Sequence, residues 1–368
     1  MRTPALVMDR SKILSNIREL KTALPRFRIA YAIKSNSHPE IIRLLREEGS
    51  HFETASLPEI QFLMQQGIPG EEIVLSNPIK TSETIASAIK LGVTVLAFDS
   101  LDELEKFHPH KETAQLLLRI KVPNEASMWP LTGKFGSPIE WWPDIFEYME
   151  KHSIPLAGIT FHPGSQCESV TGWENAMILT WRAIKMSQEY GLKPYIVNIG
   201  GGFPIDLGRD IPTTEEIAAT VNAHVDEWAE EGFVPKELIC EPGRFISGSA
   251  GYLVSKVVGT AHRDKNWAYL DCGVFNGMME TIDGIEYPTL SNATGELEKI
   301  NLCGPSCDSV DKMYEAKLPT LKTGDKLIFR GAGAYTTVYA SSFNGFHGPE
   351  VHFVESVRDP SDLFALVS

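Results

Sequence analysis

Short apolar runs, each answered by a helical pattern, recur along the first two thirds of the chain, and this alternation limits the fold more than any other feature. Strand-like runs lie at residues 27–34, 51–54, 73–77, 94–98, 116–121, 156–162, 195–199 and 238–241. Helical spacing fills most of the gaps, for example 58–66, 81–91, 142–152, 173–190 and 214–231. A strand returned by a helix pairs in parallel with the next strand, because a parallel crossover needs a dozen or more residues. Eight such units predict an α/β fold, a TIM-type (β/α)8 barrel. An open doubly wound sheet is the alternative, and eight regular units favour closure.

The pattern changes after residue 250. From Tyr252 onward the chain is strand-rich, with runs such as LVSKVVGTAHR, NWAYLDCGVF, KLIFRGAGAY and PEVHFVESV and no long helical period. We therefore expect a barrel over residues 10–250 and a C-terminal β-rich domain over 251–368. Residues 1–9 read as a strand set apart from the barrel by a helix, with Asp9 as its cap and Ile13, Ile17, Leu20 and Leu24 on one face. That strand is expected to join the C-terminal domain.

A barrel of this kind gathers its chemistry where the strands end, on one face. Lys34 closes the first strand, Glu53 the second, Asn77 with Pro78 the third and Asp99 the fourth; Arg119, His162, Gly200–Gly202 and Glu241 with Arg244 close the remaining four. A lysine there is ordinarily a surface residue opening a loop. The sharper reading is an amine that bonds the carbonyl of a cofactor such as pyridoxal phosphate. NIGGGFP, residues 198–204, is either a tight turn or a cradle whose bare backbone, at Gly201 and Gly202, approaches an anion. EPGRF, residues 241–245, is either a surface ion pair or a carboxylate for a pyridine nitrogen beside an arginine for phosphate. FHPGSQC, residues 161–167, offers the flat ring of His162 and the hydroxyl of Ser165. CGPSCDSVD, residues 303–311, puts Cys307 beside Asp308 in an exposed turn, either a structural free thiol or a proton donor. Tyr335 and Phe343 lie in a late aromatic loop.

Composition excludes some functions. A net charge of -14 gives no footing to nucleic acid or to an anionic membrane, and it favours a basic small substrate. The five cysteines, at 167, 240, 272, 303 and 307, show neither disulfide pairing nor zinc-site spacing. The opening residues lack a signal-peptide core and no stretch approaches the ~18 apolar residues of a membrane span, so a cytoplasmic setting is expected.

Taken together, YAIKSN, FHPGSQ, NIGGGFP, EPGRF, CGPSCDSVD and GAYT followed by SSFNGF resemble the pyridoxal-phosphate-dependent ornithine/lysine/arginine decarboxylase family of alanine-racemase-like fold (fold type III), over nearly the whole chain. The resemblance implies that Lys34 carries pyridoxal 5'-phosphate, that His162 stacks on it, and that Ser165, Gly201, Gly202, Arg244 and Tyr335 hold its phosphate. It implies further that Glu241 partners the pyridine nitrogen, that Arg119 lies near the cofactor, and that Cys307 donates a proton. Asp308 would bind the distal amine of the substrate and Phe343 would wall the site. Cys307 and Asp308 would reach the site from a neighbouring subunit, making a head-to-tail homodimer, with Lys134 and Asp311 paired across the interface.

Three positions depart from the family pattern. Glu53 stands where an Asp is usual, and Pro163 replaces a common Val. The loop 273–288, which sets substrate specificity in the family, offers Asp283 for the distal amine only after a one-residue deletion, with Glu280 and Glu286 as rivals. The resemblance therefore points to decarboxylation of a basic diamino acid, ornithine or lysine. Diaminopimelate decarboxylase is an alternative, although that branch shows Cys-Glu in place of Cys307-Asp308. A catalytically silent regulatory homologue is another, although such a chain is expected to lose Lys34 or Arg244.

Overall fold

In the computed structural model, which describes residues 1–129 and 133–367, eight short strands close into a parallel barrel. They are Phe27–Ala32, His51–Thr54, Ile73–Leu75, Val95–Phe98, Gln115–Arg119, Leu156–Thr160, Ile196–Asn198 and Glu237–Cys240. The ring closes where Leu238 pairs with Phe27. All eight runs read from the sequence are barrel strands, and the open-sheet alternative is set aside.

Closure follows from burial on both faces. Ala30, Val74, Val95, Leu117, Ala157, Ile196 and Ile239 form a small apolar cluster of their own, which we assign to the barrel interior. Small residues at 30 and 157 suit an eight-stranded barrel, whose lumen has room only for packed side chains. The alternate positions, such as Ile29, Tyr31, Leu96, Leu118 and Ile159, join the larger core beneath the helices. Hydroxyls start those helices: Ser56, Thr81, Ser100 and Ser169 each accept a backbone N–H of the first turn, and Thr213 with Glu216 makes a reciprocal capping box.

The second body is an eight-stranded, mostly antiparallel sheet built on the long strand Gly251–His262. Ala5–Asp9 pairs antiparallel with that strand and parallel with Glu350–Val354. Three of its strands, Thr289–Ser291, Leu297–Cys303 and Lys312–Pro319, were not among the runs singled out in the sequence. Glu298, Lys299, Glu315 and Lys317 on the last two dilute the apolar signal there.

The two bodies meet through bare backbone. Gly333 N–H donates to Gly248 O, Ala332 N–H donates to Gly251 O, and Asn36 Nδ2 donates to Gly333 O, so barrel, sheet and the turn beside Lys34 share one junction. A methyl group at 333 would lie 1.9 Å from Ser247 O. Gly333→Ala is therefore expected to destabilise the fold by about 1–3 kcal/mol or more, as overpacking does, and so to lower the denaturant midpoint. An unchanged unfolding curve would refute this account of the junction.

Candidate active site

The first barrel strand stops at Ala32 and tightens into the single 3-10 turn Ile33–Ser35, which aims Lys34 into a cleft of about 290 Å³. Tyr31 Oη donates to Asn36 O at 2.9 Å, Ser35 Oγ donates to Ala32 O at 2.9 Å, and Tyr335 N–H donates to Ser35 O at 2.7 Å, so the turn is fixed from three sides. Lys34 Nζ lies 2.6 Å from Glu53 Oε2, whose residue is 1% exposed. Burial alone would pull the ammonium down, but Glu53, then Tyr335 and Glu241, outweigh it and raise the Lys34 pKa. The amine is held as a cation beside its acceptor.

Glu241 ends the eighth strand and is buried. Its Oε1 accepts from Asn198 Nδ2 at 2.6 Å and from the Ser76 hydroxyl, while Asn198 Oδ1 accepts from Gly200 N–H at 2.9 Å. Burial and the neighbouring Glu53 push the Glu241 carboxyl up; Lys34, Ser76 and Asn198 pull it back toward the ionised form. Both side-chain donors converge on one oxygen, which leaves Oε2 for a ligand.

At the other end of the cleft, Arg244 Nη2 and Nε donate to Ser165 Oγ at 3.2 and 3.4 Å. Ser165 lies on Ser165–Cys167, which pairs with Ser127–Trp129 as a two-stranded flap. The Arg244 guanidinium carbon is 4.9 Å from the Tyr335 ring centre, and Tyr335 itself adopts φ 61°, rare for a residue with a side chain. The glycine turn packs alongside. A Cβ on Gly201 would meet Glu241 O at 2.7 Å and His162 Nε2 at 3.0 Å, and one on Gly202, at φ 95°, would meet Gly164 O at 2.7 Å.

His162 Nδ1 accepts from Gly164 N–H at 3.0 Å, which places the ring proton on Nε2. Burial, with Arg119 and Lys34 nearby, holds the His162 pKa well below its usual value, so the ring is neutral. Arg119 ends the fifth strand; burial lowers its pKa while Glu241, Asp99 and Glu53 oppose that. Trp129, Phe135 and Tyr339 line the remaining wall.

Not every expected residue converges here. Cys307, Asp308 and Phe343 lie exposed on the β domain, outside the cleft lining: Cys307 N–H donates to Asn344 Oδ1 at 3.2 Å, Asp308 Oδ1 accepts from Val310 N–H at 2.9 Å, and Phe343 packs on Phe275. Asp283 is also exposed and lines a separate groove with Glu168 and Arg209, whereas Glu280 lines the cleft. Asp311 is buried and accepts from Val274 and Ser306 N–H within its own chain, while Lys134 lies over the Phe135 ring. Ser76, Asn198 and Tyr287 were not singled out in the sequence; their position at or near strand ends beside charged residues was the available signal.

A guanidinium, a hydroxyl and a glycine turn, an amine, and a buried carboxylate gathered around one cleft fit a phosphate-bearing aromatic aldehyde. The donor set matches pyridoxal 5'-phosphate, and the glycine turn packs so closely on Glu241, His162 and Gly164 that no Cβ fits there. Comparison with known proteins agrees. The family model described as pyridoxal-dependent decarboxylase, pyridoxal binding domain, matches residues 10–248. A lysine/ornithine decarboxylase of Selenomonas ruminantium is 34% identical over 94% of this chain and 88% of its own, and antizyme inhibitor 2 of Xenopus laevis is 31% identical over 93% of this chain and 78% of its own. The crystal structure of a Vibrio vulnificus lysine/ornithine decarboxylase complexed with cadaverine superposes with a TM-score of 0.86 at 31% identity, covering 96% of this chain and 94% of that one. This chain belongs to the pyridoxal-dependent decarboxylases.

The Lys34–Glu53 pair carries a direct test. Glu53→Gln removes the largest attraction and is expected to lower the Lys34 pKa in cofactor-free protein, read by NMR titration of the 13C-methylated amine. Because the folded-state value is raised, the pair's contribution to stability is fully present below about 10.4, the unfolded value, and is lost as pH rises through the folded one. A Lys34 pKa unmoved by Glu53→Gln would sink the assignment.

Proposed function

We propose that this chain decarboxylates a basic diamino acid, ornithine or lysine, to the diamine and CO2. The observation that carries the reading is the spacing of Lys34, Glu241 and the Arg244–Ser165–glycine cradle around one cleft. When bound, pyridoxal phosphate supplies the electron sink for the pair released as the carboxyl group departs. Lys34 Nζ would hold the cofactor through its aldehyde carbon, and Glu53, 2.6 Å away, is placed to exchange a proton with that amine. Glu241 would share a proton with the pyridine nitrogen, with Asn198 and Ser76 orienting its carboxyl group. Neutral His162 offers a flat face without repelling a cationic substrate, and Gly201, Gly202, Arg244, Ser165 and Tyr335 hold the phosphate end.

Each carboxylate of the cleft already has a partner: Glu53 has Lys34, Glu241 has Ser76 and Asn198, and Glu280 has Arg244. The distal amine therefore needs a carboxylate from elsewhere, and the exposed Cys307–Asp308 turn supplies one if a second copy docks head to tail. In this reading Cys307 of the partner subunit returns a proton to the α-carbon, Asp308 of the partner subunit binds the distal ammonium, and Phe343 of the partner subunit walls the site. Asp283 plays no part. The cofactor-binding unit spans 10–250, and 251–368 with strand 1–9 forms the docking unit. We place the enzyme in the cytoplasm, in keeping with five free cysteines; no helix among the described residues is long and apolar enough to cross a membrane. A silent regulatory chain of the antizyme-inhibitor kind would have no need of both Lys34 and Arg244.

Three measurements test this. Release of CO2 from a panel of ornithine, lysine, arginine and diaminopimelate should be fastest for ornithine or lysine, and a preference for diaminopimelate would overturn the substrate class. Lys34→Ala should abolish both turnover and the visible absorbance of bound cofactor. Mixing inactive Lys34→Ala with impaired Cys307→Ala should restore diamine formation to roughly a quarter of the wild-type rate, because half the dimers then hold one intact site; no gain over the separate variants would exclude shared sites.

A further inference from the structure

Arg244 belongs to the barrel, yet its main partner does not. Glu280 comes from the 3-10 turn Met279–Asp283 of the β domain, and the two side chains are 3% and 5% exposed. Arg244 Nη1 donates to Glu280 Oε2 at 2.9 Å and Nη2 donates to Glu280 Oε1, while Tyr287 Oη donates to Glu280 Oε2 at 3.0 Å. A guanidinium has two edges able to make paired hydrogen bonds. Glu280 occupies the terminal edge, so the lateral one, Nε with the second Nη2 proton, is turned to Ser165 at 3.4 and 3.2 Å. Without Glu280 the Arg244 charge would sit buried and unopposed in cofactor-free protein, free to rotate toward other acceptors.

We propose that Glu280 is a positioning residue for the phosphate-binding arginine: it locks Arg244 with one edge presented to the cradle before the cofactor arrives. The inference rests on the cofactor reading above and assigns Glu280 away from the substrate's distal amine, since Arg244 and Tyr287 already engage both its oxygens. A guanidinium fixed in advance loses less freedom when the phosphate binds.

The test titrates pyridoxal phosphate into cofactor-free wild type, Glu280→Gln, Arg244→Gln and the double variant, read by absorbance. Glu280→Gln keeps the volume but breaks the paired contact, and should weaken binding on the order of tenfold. If Glu280 acts through Arg244, the double variant should bind no more weakly than Arg244→Gln alone. At saturating cofactor the KM for ornithine or lysine should change less than about twofold. Unchanged or tighter cofactor binding in Glu280→Gln, multiplying losses in the double variant, or a raised KM with cofactor affinity intact would each overturn the proposal. Should Glu280→Gln fail to fold, Tyr287→Phe removes one donor to the same carboxylate; weakening of about two- to threefold supports the proposal and none overturns it. Wild type that takes up no cofactor would instead defeat the functional reading.

Discussion

Opposed charge, crowded at one mouth of the barrel and largely buried there, is the constraint on which the rest of this molecule depends. Lys34, Arg119 and Arg244 share one mouth of the barrel with Glu53, Glu241 and Glu280. Ions moved out of water are costly to bury unless each is met by a partner with good geometry. Here Lys34 is met by Glu53 and Arg244 by Glu280, while Glu241 is met by the neutral donors Ser76 and Asn198. The neutral pair matters: an amide and a hydroxyl orient the carboxyl group without bringing a charge of their own.

The same constraint explains why two bodies are needed. The barrel places an amine, an imidazole, a carboxylate and an arginine at its strand ends, but the side chains that pack on Arg244, Tyr335 and Glu280, come from turns of the second body. Their delivery relies on close backbone contact at Gly251 and Gly333, where no side chain fits, and on the bond from Asn36 to Gly333 O that ties the junction to the turn bearing Lys34. A shift between the bodies would therefore be felt at both ends of the cleft.

Much of this was legible in the sequence. The period of strand and helix is set by burial, so it survives in the apolar pattern, and all eight barrel strands could be placed. Polar residues are common after apolar runs, but a lysine, an arginine, a histidine, a triple glycine and Glu-Pro-Gly-Arg together at successive strand ends are not, and that set stood out. Partners reached through space were less visible. Nothing local distinguishes Ser76 or Asn198 from ordinary polar residues at strand ends, and nothing in GVFNGMMETIDGIEYP says that Glu280 turns inward while Asp283 faces water. Strands with a charged outer face, such as Lys312–Pro319, were hidden because half their residues obey solubility rather than packing.

The threading of the chain also bears on how it is made. Asp9, at the close of the first strand, accepts the backbone N–H of Val357, 348 residues away, and the strand Ala5–Asp9 has Glu350–Val354 along one side. In a growing chain that strand has no neighbour until residues 251–254 are made, and its second edge stays open until residues 350–354 follow. Contacts of such long span are slow to form and leave a sticky edge in the interim. Until both partners are in place, the apolar residues of this strand present an open edge to which a wrong strand could pair.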